Sequence, residues 1–391
     1  MNRILKIFFL VLSLKLIYLL YGLCLSYYTD YRVFPDDLRG YADIYCANDC
    51  YWYKQITEQG YEKLDKVERI WTTENGDFRQ SSWAFFPLYP FINYLSVKLF
   101  SLDYTVAAFI PSLILTFLAF YLFYLFLISL KISDKKAWYG LLFFSFFPFH
   151  FYFSMYYTES LFLALVLLAF LGVNSKNKLM LISSVLLLPL TRVNGIIVML
   201  PLVLYIAENK KIQWNRLFLI STYIKEKMLL IPFLSFISFF AWSLYQYNMT
   251  GSFKAFSLAQ KGWFKTFQMP YKSLFDIGNM SNFNFDFLKS VNLDIKILSV
   301  LVIMYFITAV YQAVKVHRMS LNLFIFIQLL LPLTAGSVIS SPRYASVIFP
   351  LFYPVSNFIY HSKLKYIVLF LLLILQLIMF HFFLINEPIS Y

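Results

Sequence analysis

Apolar runs of helical length recur along almost the whole chain, separated by short breaks that carry Lys and Arg. Membrane barrels show instead alternating segments of ~10 residues, so the pattern predicts a polytopic α-helical bundle. The first run, Ile4 to Leu25, has no small-residue cleavage site after it and reads as a retained signal-anchor helix. Arg3 and Lys6 flank its start, which predicts a cytoplasmic N-terminus and an outer segment from residue 27 to about 84. The next run, Phe85 to Phe100, is short, begins with Pro87 and Pro90 and contains Lys98. A span needs ~20 apolar residues, so this run is expected to lie along the outer interface.

With that choice the later spans fall near 105–130, 137–153, 157–173, 179–191, 194–207, 228–247, 295–314, 319–338, 343–360 and 364–385. Every inner loop with ionisable residues then carries net positive charge, as cytoplasmic loops do. The expected fold is a single all-α module over 1–391, with about 11 transmembrane helices. A first extracytoplasmic loop, 27–104, would hold interfacial helices, and a second would cover 248–294.

Composition agrees with this class. The chain is 60% hydrophobic and only 14% charged, where a soluble protein has about a quarter of its residues charged. Its net charge of +13 lies in small groups between apolar runs and forms no basic stripe, which excludes nucleic acid as a partner. Residues 27–84 instead hold 11 acids and 7 bases, net −4, which leaves +17 for the remainder. An aromatic share of 21% suits interface belts and a groove for a long lipid. Cys24 lies in the first apolar run, while Cys46 and Cys50 flank Asp49. Four residues apart, they would bridge with strain on a helix and readily in an irregular loop, so both states stand. The histidines (His150, His317, His361, His381) are scattered, and no Cys/His cluster has metal-site spacing.

This topology brings Asp49, Glu159, Arg192, Gln260, Lys261 and Arg343 to one outer face. Ionisable groups near spans are costly and point to function. Guanidinium forks match phosphate oxygens, and a carboxylate can take a proton from an attacking hydroxyl. Each residue also has a plainer reading. Asp49 is one acid in an acidic loop, Glu159 and Arg192 suit an ion pair at helix ends, and Arg343 suits a snorkelling anchor. Lys261 suits a solvated charge, and Phe85 to Pro90 suits interface packing.

Taken together, the motifs resemble the PIG-V group of GPI-anchor mannosyltransferases and its prokaryotic relatives, within the GT-C class of membrane glycosyltransferases. Asn48-Asp49-x3-Tyr53-x2-Ile56-x3-Gly60-Tyr61 is similar to the segment that holds the family's catalytic Asp. Phe85-Phe86-Pro87-Leu88-Tyr89-Pro90, Tyr157-Thr158-Glu159-Ser160-Leu161-Phe162, Thr191-Arg192-x-x-Gly195 and Ala259-Gln260-x-x-Trp263 follow in the family's order. Pro342-Arg343-Tyr344 and Phe349-Pro350-Leu351-Phe352 complete the match over nearly the full length. Asn48 departs from the family's Trp, and Cys50 follows the Asp.

The resemblance implies a GT-C-like bundle with an inverting active site on the non-cytoplasmic face. Asp49 would be the general base, with Arg192, Arg343 and Lys261 on the donor phosphate and Glu159, Gln260, Trp263, Tyr53, Tyr89 and Tyr157 binding or supporting substrate. The donor would be a sugar, mannose by the family, on a polyprenyl or dolichyl phosphate; the acceptor would be lipid- or glycan-linked. No cofactor is required, although Asp49 and Glu159 leave room for a divalent metal. The membrane would be a bacterial plasma membrane, or the endoplasmic reticulum in a eukaryote. Two alternatives differ in class. A transporter or flippase of lipid-linked sugars would show internal repeats and charges at the midplane, whereas these charges cluster at one outer face. A non-catalytic accessory subunit would tolerate loss of Asp49.

Overall fold

The computed structural model describes residues 2–29, 34–64, 79–213, 215–216, 219–263, 265, 267–274, 293–315, 318–336 and 338–387. Parts of the two predicted outer loops, at 30–33, 65–78 and 275–292, lie outside the described residues. Among the described residues the regular structure is helical, with no strand. In chain order the helices are α1 (Arg3–Tyr28), α2 (Leu38–Asp43), α3 (Asp49–Gln59), α4 (Leu88–Phe100), α5 (Tyr104–Ser129), α6 (Asp134–Ser145) and α7 (Glu159–Asn174). They continue as α8 (Lys178–Leu187), α9 (Asn194–Ile197), α10 (Met199–Asn209), α11 (Ile220–Lys225), α12 (Leu230–Thr250), α13 (Ala255–Lys261) and α14 (Pro270–Ser273). The last are α15 (Leu293–Lys315), α16 (Met319–Thr334), α17 (Ser341–Ser346), α18 (Val355–His361) and α19 (Lys365–Leu384).

Five of these, α1, α5, α12, α15 and α19, are long and apolar enough to cross a membrane. The 26 residues of α1 and of α5 reach ~39 Å, against a hydrocarbon core of ~30 Å. Phe233, Phe236 and Phe240 on α12 are exposed, as are Ile367, Phe370, Leu371 and Ile374 on α19. Spacings of three and four put each set on one side of its helix. Uncovered apolar faces of this kind belong in lipid, so the chain is a membrane-embedded helical protein.

The chain divides into two compact units. The first comprises residues 1–59, 87–167 and 352–391. Within it α1 and α4 pack on α5, α3 packs on α4, and α6 packs on α18. Arg3 at the start of α1 forks onto Asp134 at the start of α6, with Nε 2.8 and 3.0 Å from the two carboxylate oxygens. Arg3 Nη2 and the Tyr124 hydroxyl donate to the same carboxylate. The Arg3 hydrogen bond, followed by that of Tyr124, holds the Asp134 carboxyl down to about 2. The start of α1 and the break between α5 and α6 therefore sit at one end of this unit. α4 has 13 residues and is ~20 Å long, too short for the hydrocarbon core. Ser96 of α4 donates to the Ala107 carbonyl at 2.8 Å, folding α4 back along α5. Its other side exposes Phe91, Leu95 and Leu99, as an interfacial helix would.

The expected spans 137–153 and 343–360 are broken by stretches of turns and 3-10 turns. Over 137–153, α6 stops at Ser145, and residues 146–158 run through turns and a 3-10 turn at His150–Phe153. Pro148 explains the stop, since it lacks an N–H and drives the preceding residue out of the α region. Over 343–360, α17 ends at Ser346 and α18 begins at Val355. Pro350 and Pro354 interrupt that stretch.

The second unit comprises residues 60–86 and 168–351. There α12 packs on α8, and α10 and α15 pack on α16. Glu208 caps α16, accepting from the Ser320 backbone N–H at 2.9 Å and its hydroxyl at 2.6 Å. Trp83 is fully buried. It stacks on Tyr61 at 4.7 Å and meets Trp242 at 5.8 Å. Phe86 joins the same cluster, so this part of the Phe85–Pro90 motif serves packing.

Candidate active site

In the first unit the site is built around the entry to α3. Asn48 has a left-handed backbone, φ 51°, which Asn tolerates better than almost any residue but Gly. It turns the chain so that Asp49 becomes the first residue of α3. Cys46 and Cys50 form a disulfide with Cα atoms 5.2 Å apart, which answers the pairing left open by their spacing. The bridge closes a small ring around Asp49. The half-buried carboxylate lies in the first turn of α3, where an acidic group complements the helix dipole. At the far end Gly60, φ 78°, ends α3 in the left-handed turn that glycine permits.

Tyr157 holds this entry in place. Its hydroxyl donates to the Ala47 carbonyl at 2.9 Å and accepts from the Asp49 backbone N–H at 3.2 Å. Tyr157 comes at the end of the unwound 146–158 segment, and Glu159, two residues on, starts α7 fully buried. Tyr53 sits one turn after Asp49 on the same side of α3 and meets the buried Tyr89 ring at 5.1 Å, edge to face. Burial raises the Tyr89 phenol, and the Glu159 charge adds to that shift. Asp49, Tyr53, Tyr89, Tyr157 and Glu159 thus all belong to one unit.

Arg192, Gln260, Lys261, Trp263 and Arg343 belong to the other. Arg192 follows a 3-10 turn at Leu188–Leu190, and Thr191 seals that turn by donating to the Leu188 carbonyl at 2.6 Å. A Cβ on Gly195 would lie 2.5 Å from the Leu188 carbonyl carbon and closer still to its oxygen, so only glycine fits. The buried Arg192 places its guanidinium 5.0 Å over the Tyr344 ring, a favourable cation–π distance. Lys265, absent from the sequence expectations, lies 5.6 Å from the same ring and donates to the Tyr344 hydroxyl at 3.4 Å. Arg343 is buried in α17, its carbonyl accepting from the Ser346 hydroxyl at 2.6 Å. Gln260 donates to the Ala84 carbonyl at 3.3 Å, and Trp263 meets Phe85 edge-on at 5.6 Å. Lys261 is exposed at the end of α13.

A cavity of about 270 Å³ opens in this unit. Asn194, Gln260, Lys265 and Tyr344 give it a polar wall, and Phe256, Phe267, Leu331, Pro332 and Ile339 an apolar one. Such a space suits an amphiphile whose anionic group faces the lysine. Lys265 lies four residues beyond Lys261 in the predicted second outer loop, and that proximity was the one available signal for it. A second missed residue is Lys15, a charge midway along the first apolar run, and such a charge is a functional marker in a membrane helix. Among the described residues no three His, Cys, Asp or Glu side chains are placed to hold a metal. The chain matches no protein-family model and no curated protein.

Proposed function

We propose that this protein is a membrane glycosyltransferase that moves a sugar from a polyprenyl-phosphate donor to a hydroxyl acceptor, with inversion and with Asp49 as general base. The observation that carries the reading is the construction around Asp49. A disulfide, a left-handed Asn48 and the Tyr157 hydroxyl all fix the backbone of one half-buried carboxylate. A merely solvated acid needs no such fixing, whereas a base must be held within hydrogen-bond reach of the proton it takes.

The chemistry balances with these groups. The acceptor oxygen bonds to the anomeric carbon as its proton passes to Asp49, and the bond from that carbon to the phosphate oxygen breaks. The donor phosphodiester carries one negative charge and the departing lipid phosphate gains a second. This reading assigns Arg192, Arg343 and Lys261 to the donor phosphate, where a cation would stabilise such added charge, and it adds Lys265, which shares the Tyr344 ring with Arg192. The apolar wall of the cavity would receive the first part of the lipid chain. The finer architecture belongs to the same proposal: a GT-C-like bundle of about 11 spans, a cytoplasmic N-terminus and a catalytic face on the non-cytoplasmic side.

The test is incubation of the purified protein with a panel of polyprenyl-phosphate sugars and lipid or glycan acceptors. Release of free polyprenyl phosphate coupled to sugar transfer is the expected result. Release with none of the panel, by a protein that retains its fold, would contradict the reading.

A further inference from the structure

Lys15 has no part in the chemistry above, yet it is the most enclosed lysine or arginine among the described residues of the first unit. It stands midway along α1 and is 1% exposed. Its ammonium donates to the Ser112 hydroxyl and to the Ser154 carbonyl, each at 2.8 Å. It also lies 5.0 Å from the Tyr45 ring and 5.3 Å from the Phe109 ring. Among the described residues it makes no salt bridge with a carboxylate. A buried cation without a counter-charge is costly in a membrane helix, so it needs a reason.

The reason lies in the backbone of the unwound 146–158 segment. Carbonyls freed from a helix at membrane depth must find donors inside the protein. Ser154 receives Lys15 and Ser112, and Phe153 receives Ser160 at 2.8 Å and Thr116. The same lysine is tied to the catalytic loop from the other side. Tyr45 donates its hydroxyl to the Lys15 carbonyl at 2.7 Å, and the Tyr45 carbonyl accepts from the Tyr156 N–H at 3.1 Å. One residue on, Tyr157 clamps Ala47 and Asp49. A continuous chain of contacts therefore runs from the Lys15 ammonium to the Asp49 backbone.

We propose that Lys15 is a positioning residue. Its ammonium braces the unwound segment against the 44–48 connection between α2 and α3 and so sets where Tyr157 holds Asp49. The bracing stands on the contacts alone; its effect on turnover rests on the transferase reading.

The test combines hydrogen exchange, read by mass spectrometry on the full chain in nanodiscs, with turnover. In Lys15→Met, peptides covering 44–50 and 154–158 are expected to exchange about tenfold faster, while α12 and α16 keep wild-type rates. kcat is expected to fall about tenfold or more with the donor KM unchanged, because a base is displaced and no donor contact is lost. Lys15→Gln, which keeps an N–H donor, is expected to recover part of both. Unchanged exchange in those two peptides overturns the bracing, and altered exchange with wild-type kcat overturns the positioning. Should Lys15→Met not fold, Tyr45→Phe and Ser112→Ala each remove one contact of the brace. Wild-type exchange at both peptides in both variants would overturn the proposal. A wild-type protein that transfers no sugar contradicts the transferase reading alone, and the exchange result still decides the bracing.

Discussion

Asn48 immediately precedes Asp49, and its left-handed backbone gives the reason for an Asn there. At φ 51° an ordinary L-residue pays about 1–2 kcal/mol, which Asn largely avoids. Asn48→Gly is therefore expected to keep wild-type thermal stability, and Asn48→Ala to lose about 1 kcal/mol; equal melting temperatures for the two would contradict the account. At the donor end, Lys265→Ala is expected to weaken donor use by about 1.5–3 kcal/mol, read as a fall in kcat/KM for the donor. Lys261→Ala should cost less, because that side chain is exposed. The sequence made Asp49 legible because a short motif carries it, and Tyr157 and Arg192 likewise. It left Lys15 and Lys265 unread. An apolar run conceals the first unless a charge midway along it is taken as a signal, and the second lies in no motif at all.

Among the elements, hydropathy located the runs but not the breaks in them. The spans expected at 137–153 and 343–360 are interrupted where Pro148, Pro350 and Pro354 remove backbone donors. Those prolines were visible and could have marked the breaks. The pairing of Cys46 with Cys50 was not legible, because it depends on whether the backbone there is helical. It is helical only from Asp49 onward, which leaves Cys46 outside the helix and able to reach back. Denatured, unreduced protein should therefore present one reactive thiol, Cys24, and three after reduction, a count that intact-mass labelling reads directly. The Arg192 turn has its own test. Gly195→Ala forces a Cβ against the Leu188 carbonyl, and an overpacked site of this kind costs about 1–3 kcal/mol. A fall in melting temperature together with a raised donor KM is expected.

On the scale of the whole molecule, charge asymmetry and run length were enough to read a helical membrane protein, and the exposed apolar faces of α12 and α19 agree. With 13 residues α4 falls short of the hydrocarbon core, and that length is what supports the proposed interfacial placement of Phe85–Phe100. The pairing of Arg3 with Asp134 adds that both lie at one end of the first unit. Asp134→Cys is accordingly expected to label from the same side as an N-terminal tag, and from the cytoplasm if the basic flank sets orientation. Labelling from the side opposite the tag would contradict the placement of α4.

The central claim concerns Asp49, and turnover of Asp49→Asn beside wild type, with a polyprenyl-phosphate sugar donor, tests it most directly. Fold and donor affinity should match wild type, because the amide preserves shape and the backbone clamp by Tyr157 does not involve the carboxylate. The expected result is a loss of kcat of about 10²–10⁴-fold, the usual worth of a general base. Turnover of Asp49→Asn at or near the wild-type rate would contradict the assignment.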